Sequence, residues 1–296
     1  MEAKRYRRVC RLIGQVSPTR RRKREQHSDA VIVKVYFWAT YHDRATSWAC
    51  EVENWPQKVL DEVTGGLPSE PTMSRRMRTV GVLQLIERVQ TLLADTLEDD
   101  VLKVIDSKPL KVGNYSKDRD AKRGRGAGEM ARGYKLHAVT CGKAFKYWTL
   151  TAMNSNDQIG AALLLPKLNG WGYVSADNAY DANPVHEVVR SVGHQLIAPP
   201  RKANAHVRDT RRNSAARIRS LDICVNPLQH CGLGESFGTS LLRRRGQIER
   251  NFGNVVMSGM YAPPPWARTP KRVATWVAAK IIQRMERQVE IAGLTA

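Results

Sequence analysis

Acid is what this chain is short of. Against 48 Lys and Arg it carries 28 Asp and Glu, a formal net charge of +20 over 296 residues. Such an excess draws a protein to polyanions, because each neutralised phosphate releases a condensed counterion. Nucleic acid is the first partner to expect, and an anionic membrane surface is the competitor. Long apolar runs are also missing. No stretch approaches the about 18–20 residues that a spanning helix needs, so no membrane insertion is expected. The basic N-terminus is followed by no uninterrupted apolar stretch, and no secretory leader is expected. Cysteines are few, scattered and odd in number: Cys10, Cys50, Cys141, Cys224 and Cys231. That argues against a disulfide framework and suits a reducing cytoplasm. "CVNPLQHC" places Cys224, His230 and Cys231 close together, but no second ligand pair stands at zinc-site spacing, and adjacent His and Cys fit one tetrahedral ion poorly.

What is present divides by texture. Residues 1–28 hold ten Lys or Arg against two Glu, with "RRRKR" at 20–24, and read as a basic flexible arm. From Asp29 to Leu97 the chain reads as helical. "AVIVKVYFWATYH" is a core helix, with its β-branched residues keeping strand open; "ATSWACEVENW" and "PQKVLDEV" are short helical pieces. Ser69 can cap a helix opening at Glu70–Pro71, which carries Thr72, Ser74, Arg75, Arg76 and Arg78. Leu83, Ile86, Val89, Leu93 and Leu97 then recur at helical spacing. Short helices ending in a small, hydroxyl- and arginine-rich one are what a helix-turn-helix needs to enter a major groove; an ordinary helical subdomain with a basic surface has the same pattern.

Beyond Leu97 the pattern becomes mixed α/β. "VLKVID" is a strand, with Leu102, Val104 and Asp106 on one face. The basic, glycine-rich "GNYSKDRDAKRGRGAGEMARG" that follows is expected to be a loop. It lacks the strand-to-helix turn and the Lys-Ser/Thr ending of a nucleotide-binding loop, which excludes that reading. "YKLHAVTC" and "FKYWTLTAMN" form a hairpin across Gly142–Lys143, and Asn156 or Asp157 starts a helix. "GYVSADNAYD" is a strand that ends on Asp177, Asn183–Pro184 begin a helix closed by Gly193, and "HQLIAPP" is a further strand. Residues 203–240, which include most of a second basic block at 201–220, read as an insertion or long loop. "SLLRRRGQIERNFGNVVMSG" resumes as a helix with Leu241, Ile248, Phe252 and Val255 buried and Gly259 at its C-cap.

One aspartate closing a strand is ordinarily a turn former or an N-cap, and Arg245 with Glu249 is ordinarily a helix salt pair. Two strands closing on Asp106 and Asp177, with Glu249 beside a later apolar stripe, are more pointed. Three carboxylates brought together raise one another's pKa unless a cation joins them. Oxygen donors call for a hard ion, Mg²⁺ with Mn²⁺ as substitute, rather than zinc. In so basic a chain that combination suits metal-assisted phosphoryl transfer on nucleic acid.

On "VIDSKPLKV" with Asp106, "GYVSADNAYD" with Asp177 and Tyr180, "RGQIERNFG" with Glu249, and the strand order between them, the chain resembles DDE transposases of the insertion-sequence-five branch and their insertion-sequence-four relatives. Arg245 and Glu249 match the family's last motif, while Leu242 and Val256 stand where it has Tyr and Lys. The resemblance covers about 98–290. It implies a ribonuclease-H-like mixed sheet flanked by helices over 98–296, preceded by the helical domain of 29–97. It further implies Asp106, Asp177 and Glu249 as catalytic metal ligands. The implied reaction is cleavage at the inverted-repeat ends of an insertion sequence and joining of the 3′-hydroxyls to target DNA. Contacts to DNA are expected from Thr72, Ser74, Arg75, Arg76, Arg78, Lys108, Arg243, Arg244, Arg245 and Arg250. The implied partners are double-stranded DNA and a second copy of the chain, in a dimer or higher assembly at the nucleoid. The alternatives are a domesticated or inactive transposase kept as a sequence-specific DNA-binding protein, and a packing protein that binds through charge alone.

Overall fold

The computed structural model describes residues 2–18, 25–98, 100–113, 116–126, 128–201, 209–225 and 236–294. The "RRRKR" run, His230, Cys231 and much of the expected insertion lie outside these residues. Two compact units emerge, Met1–Leu97 with Val255–Met260 and Trp266–Ala296, and Glu98–Asn254 with Tyr261–Pro265. No helix among the described residues is long and apolar enough to cross a membrane.

The first unit is helical: α1 Glu2–Val16, α2 Asp29–Tyr41, α3 Gln57–Leu60, α4 Glu70–Arg76, α5 Val80–Leu97 and the C-terminal helix Pro270–Ile291. It corrects the expected flexible arm. In α1, Tyr6, Val9, Cys10, Leu12 and Ile13 are buried at helical spacing, and the arginines occupy the remaining face. Composition alone read those arginines as a solvated tail, although the apolar stripe runs between them. Ser28 caps α2, its hydroxyl accepting from the Val31 N–H at 3.3 Å. The aromatic-rich α2 is buried on nearly every side, with Trp38 stacked on Trp55 at 5.0 Å and Tyr6 edge-on to Trp38. On α5 the buried stripe is Val82, Leu85, Ile86, Val89, Leu93, Ala94 and Leu97; Leu83, expected in it, is 40% exposed. The C-terminal helix, expected within the α/β domain, belongs to this unit. Its Lys280 is buried and donates to the Thr40 carbonyl at 2.9 Å and to Asp43 at 2.5 Å. That pairing is invisible at a separation of more than two hundred positions.

The second unit carries the sheet: β1 Leu102–Lys111, β2 Lys122–Gly126, β3 Glu129–Cys141, β4 Ala144–Ala152, β5 Gly172–Ser175 and β6 His194–Ile197. β1 runs antiparallel to β3, β3 antiparallel to both β2 and β4, and β5 and β6 join parallel to β1. This is the ribonuclease-H-like mixed sheet, flanked by α6 Asp157–Leu164, α7 Asn183–Ser191, α8 Ala215–Val225, α9 Phe237–Arg244 and α10 Gly246–Met257. Ile105, Val139, Leu164, Val174, Tyr180, Val189 and Leu196 sit in one core cluster beneath α6 and α7. Two expectations change here. Residues 122–126 and 129–133 of the glycine-rich stretch are strand, β2 pairing the first part of β3. A β-carbon on Gly124 would lie 2.5 Å from the Met153 carbonyl carbon, so the small residues there serve close backbone approach, not looping. The segment read as insertion contains α8, whose packing neighbours are β6, α7 and α9. Its basic residues concealed the helix.

Candidate active site

β1 does not stop at Asp106 as expected. Its pairing with β3 runs on to Lys111, whereas its parallel pairing with β5 covers Leu102–Val104 alone. Asp106 thus lies two residues past the point where β1 loses its second neighbour. β5, ending at Ser175, makes the rim. Pro109 is tolerated further along because one edge of β1 is open there. Ligand sites in open α/β sheets are commonly built at such strand ends.

Asp106 is largely buried, its side chain 18% exposed. Its Oδ1 accepts the Ser107 N–H at 2.7 Å. Burial pushes its carboxyl up to about 6; the Ser107 N–H and Arg245 pull against this, and the nearby Asp177 and Asp157 push with it. Asp177 caps the 3₁₀ turn Asn178–Tyr180, one oxygen accepting the Ala179 N–H at 2.9 Å. Glu249 stands in the first turn of α10, 60% exposed, where Arg245 reaches it at 3.2 Å. The same guanidinium lies 3.7 Å from Asp106. The structure therefore sets Asp106 in the field of Asp177 and links it to Glu249 through Arg245. It does not gather the three as a closed ligand set: among the described residues no three His, Cys, Asp or Glu side chains are arranged to hold an ion. The chemistry nevertheless fits a hard cation. The donors are all carboxylate oxygens, Asp106 is desolvated beside a like charge, and a guanidinium already stands where positive charge is wanted.

Sequence reading missed a polar layer behind β1. Asp157, at the start of α6, accepts from the Ser107 hydroxyl at 2.6 Å and lies 3.3 Å from the Lys135 ammonium. His137 is fully buried, with Nε2 2.8 Å from the Thr151 hydroxyl. Burial lowers its pKa to about 4, the Asp157 charge opposing, so the ring is neutral at physiological pH. α6 can approach because Gly160 sits over that ring, where a β-carbon would come within 2.2 Å. Ser107 and His137 pair across β1 and β3 on the face opposite Asp106, and the alternation within β1 was the usable signal for Ser107. Asp181, four residues beyond Asp177, is buried and bound by Arg217 at 2.6 and 2.7 Å. Burial would raise its pKa, but hydrogen bonds from His186, Arg217 and the Arg201 N–H hold it well below the usual carboxylate range.

The expected DNA contacts separate in the same way. Ser74, Arg75 and Arg78 are exposed on or just beyond α4, and Thr72 is half-buried with its hydroxyl 3.1 Å from Ser69, which does not cap the helix with its side chain. Arg76 is committed internally, 2.7 Å from Asp29, 3.4 Å from Glu25 and bonded to the His27 carbonyl. Such a residue holds α4 in place and is not presented to a ligand. Arg243, Arg244 and Arg250 are exposed at the end of α9 and on α10; Arg244 pairs with Asp100, and Arg250 donates to Gln247 at 3.0 Å. Lys108 is half-buried on β1, and burial lowers its ammonium pKa.

Residues 98–258, more than half of the chain, match the family described as transposase DDE domain. The chain belongs to that family: it is a DDE transposase, a metal-dependent enzyme that acts on DNA. Among solved structures it is similar to a cryo-EM structure of the piggyBac transposase synaptic complex with hairpin DNA, at 10% identity and a TM-score of 0.49, over 99% of this chain and 74% of that one. No curated protein matches.

Proposed function

We propose that this transposase cuts DNA at the inverted-repeat ends of an insertion sequence and joins the freed 3′-hydroxyls to target DNA. Asp106, Asp177 and Glu249 would hold Mg²⁺, or Mn²⁺ in its place. The observation that supports this most directly is Asp106 itself: a desolvated carboxyl at the rim of the sheet, within the field of a second acid and tied through Arg245 to a third. Divalent cations bound there supply activation of the attacking oxygen and charge neutralisation at the leaving one. Arg245 bridges two of the acids, and its guanidinium can turn to a scissile phosphate once they are otherwise neutralised. Arg243, Arg244 and Arg250 supply basic surface along α9 and α10. In this reading the helical residues 29–97 recognise the ends through the exposed part of α4, and two copies of the chain hold two ends at the nucleoid.

The test is strand cleavage and joining on duplexes made from the DNA that flanks the gene. Asp106→Asn, Asp177→Asn and Glu249→Gln should each lower cleavage by more than about a hundredfold, the upper end of what losing a merely supporting group costs. DNA binding should persist or tighten, since each change removes a negative charge that faces phosphates. Specific binding of end DNA by an unaltered protein that never cuts would instead mark a domesticated DNA-binding protein.

A further inference from the structure

The turn that carries Asp177 is held by groups from outside it. Arg201 lies just past β6. Its Nη2 donates to the Ala179 carbonyl at 2.6 Å and its Nε to the Asn178 carbonyl at 3.2 Å. The Arg201 backbone N–H donates to Asp181 Oδ2 at 3.1 Å, closing a ring around residues 178–181. Asp181 is in turn gripped side-on by Arg217 of α8, with Nε 2.7 Å from Oδ1 and Nη2 2.6 Å from Oδ2, while His186 Nε2 stands 3.2 Å from Oδ1. Arg217 also reaches the Asn213 side chain at 2.6 Å. The 3₁₀ turn spans just Asn178–Tyr180 before the chain runs on to α7; within it the Asn178 carbonyl also accepts the Asp181 N–H at 3.3 Å, and Gln158 of α6 reaches the Ala179 carbonyl at 3.5 Å. Arginine suits this task, since its planar fork fixes direction as well as charge.

We propose that Asp181, Arg201 and Arg217 form a clamp that positions Asp177, and that this is what the basic stretch around 201–217 contributes to the active site. From the sequence that stretch is a basic block that runs into an insertion or long loop. The geometry turns at least two of its arginines inward, onto the one loop whose aspartate must meet Asp106. The three clamp residues are positioning residues and touch no reacting atom. This inference rests on the reading of Asp177 as a cation ligand, and the experiment below separates the two.

Binding of Mn²⁺ alone to the full chain, followed by electron paramagnetic resonance, reads the site without turnover, with thermal unfolding recorded in parallel. Arg201→Ala and Arg217→Lys should each weaken Mn²⁺ binding by about tenfold, the range in which supporting groups of metal ligands act. Arg217→Lys keeps the charge and loses the fork, so it should lie between the unaltered chain and Arg217→Ala. Arg190→Ala, an exposed change on α7 of the same unit, should bind as the unaltered chain does. Asp177→Asn should lose more than either clamp variant. If Asp177→Asn loses Mn²⁺ while both clamp variants bind normally, the clamp is wrong and the site stands. If Asp177→Asn binds normally, or the unaltered chain binds no Mn²⁺, the reading of the site fails and the clamp falls with it. Weakening that tracks the fall in unfolding temperature, variant by variant, would reduce the clamp to a fold-stability element and overturn the proposal.

Discussion

In the helical unit Arg8 is paired with Glu286 and Glu290, Arg76 with Asp29 and Glu25, and buried Lys280 with Asp43. In the α/β unit Asp106 feels the charges of Asp177 and Asp157, and Arg245 is spread between Asp106 and Glu249 at distances of 3.7 and 3.2 Å. Both regions bury ionisable groups, but those helical-unit pairs are neutralised in place, whereas the α/β unit, which neutralises Asp181 with Arg217, leaves Asp106 among like charges at a sheet rim. A scaffold gains from charges that are neutralised in place. A site that must take up cations and phosphates works with charges that are not.

The largest effect that would sharpen this contrast lies in the scaffold. Arg8→Ala leaves Glu286, 3% exposed, buried without its cation, and should cost about 3 kcal/mol of stability in urea unfolding. A loss under about 1 kcal/mol would mean that the helical unit is no better neutralised than the rim. Next comes the opposite sign. The native pKa of Asp106 is raised to about 6 from an unfolded value near 3.9, so its contribution is complete below pH about 4 and is lost as pH rises through 6. Asp106→Asn should therefore stabilise the protein by about 2 kcal/mol at pH 7.5 in metal-free buffer and by nothing at about pH 4. A variant equally stable with the unaltered chain at both values would show that burial beside like charges costs Asp106 nothing at the rim.

Within α4 the same distinction separates neighbours. Arg76→Ala removes charge-assisted hydrogen bonds and should lower stability by about 1–2 kcal/mol. Arg75→Ala, at an exposed position, should change stability by less than about 0.5 kcal/mol. In competition binding, Arg75→Ala should reduce discrimination between end DNA and random DNA if Arg75 reads bases, and should weaken both alike if it meets phosphate only. Equal stability losses for the two would erase the division between inward and outward arginines.

What could be read from residues alone was whatever repeats or stops locally. Alternation marked strands such as β1, β3 and β4; helical spacing and capping residues marked α5, α6, α7 and α10, while α2 was open between helix and strand. The aspartates closing short apolar runs stood out because a charge at the end of a buried strand needs a reason. Where strong local charge lay over a weaker signal, the reading failed, as in the amphipathic α1 and in α8, whose arginines hid the helices. It failed again at the glycine-rich stretch, where small residues permit close strand pairing as readily as a loop.

By itself, then, the sequence determined the mixed α/β character, the polyanion-seeking charge and the three acids in their order. Tertiary structure decided which charges are answered. Lys280 meets Asp43, Arg217 meets Asp181 and Arg76 meets Asp29 only when the chain folds, because a side-chain pair is specified by where two backbones pass, not by the types of residue alone. The same holds for Asp106. A strand pattern could place it near the end of an apolar run, but its standing at a rim depends on β5 ending at Ser175, 69 positions further along.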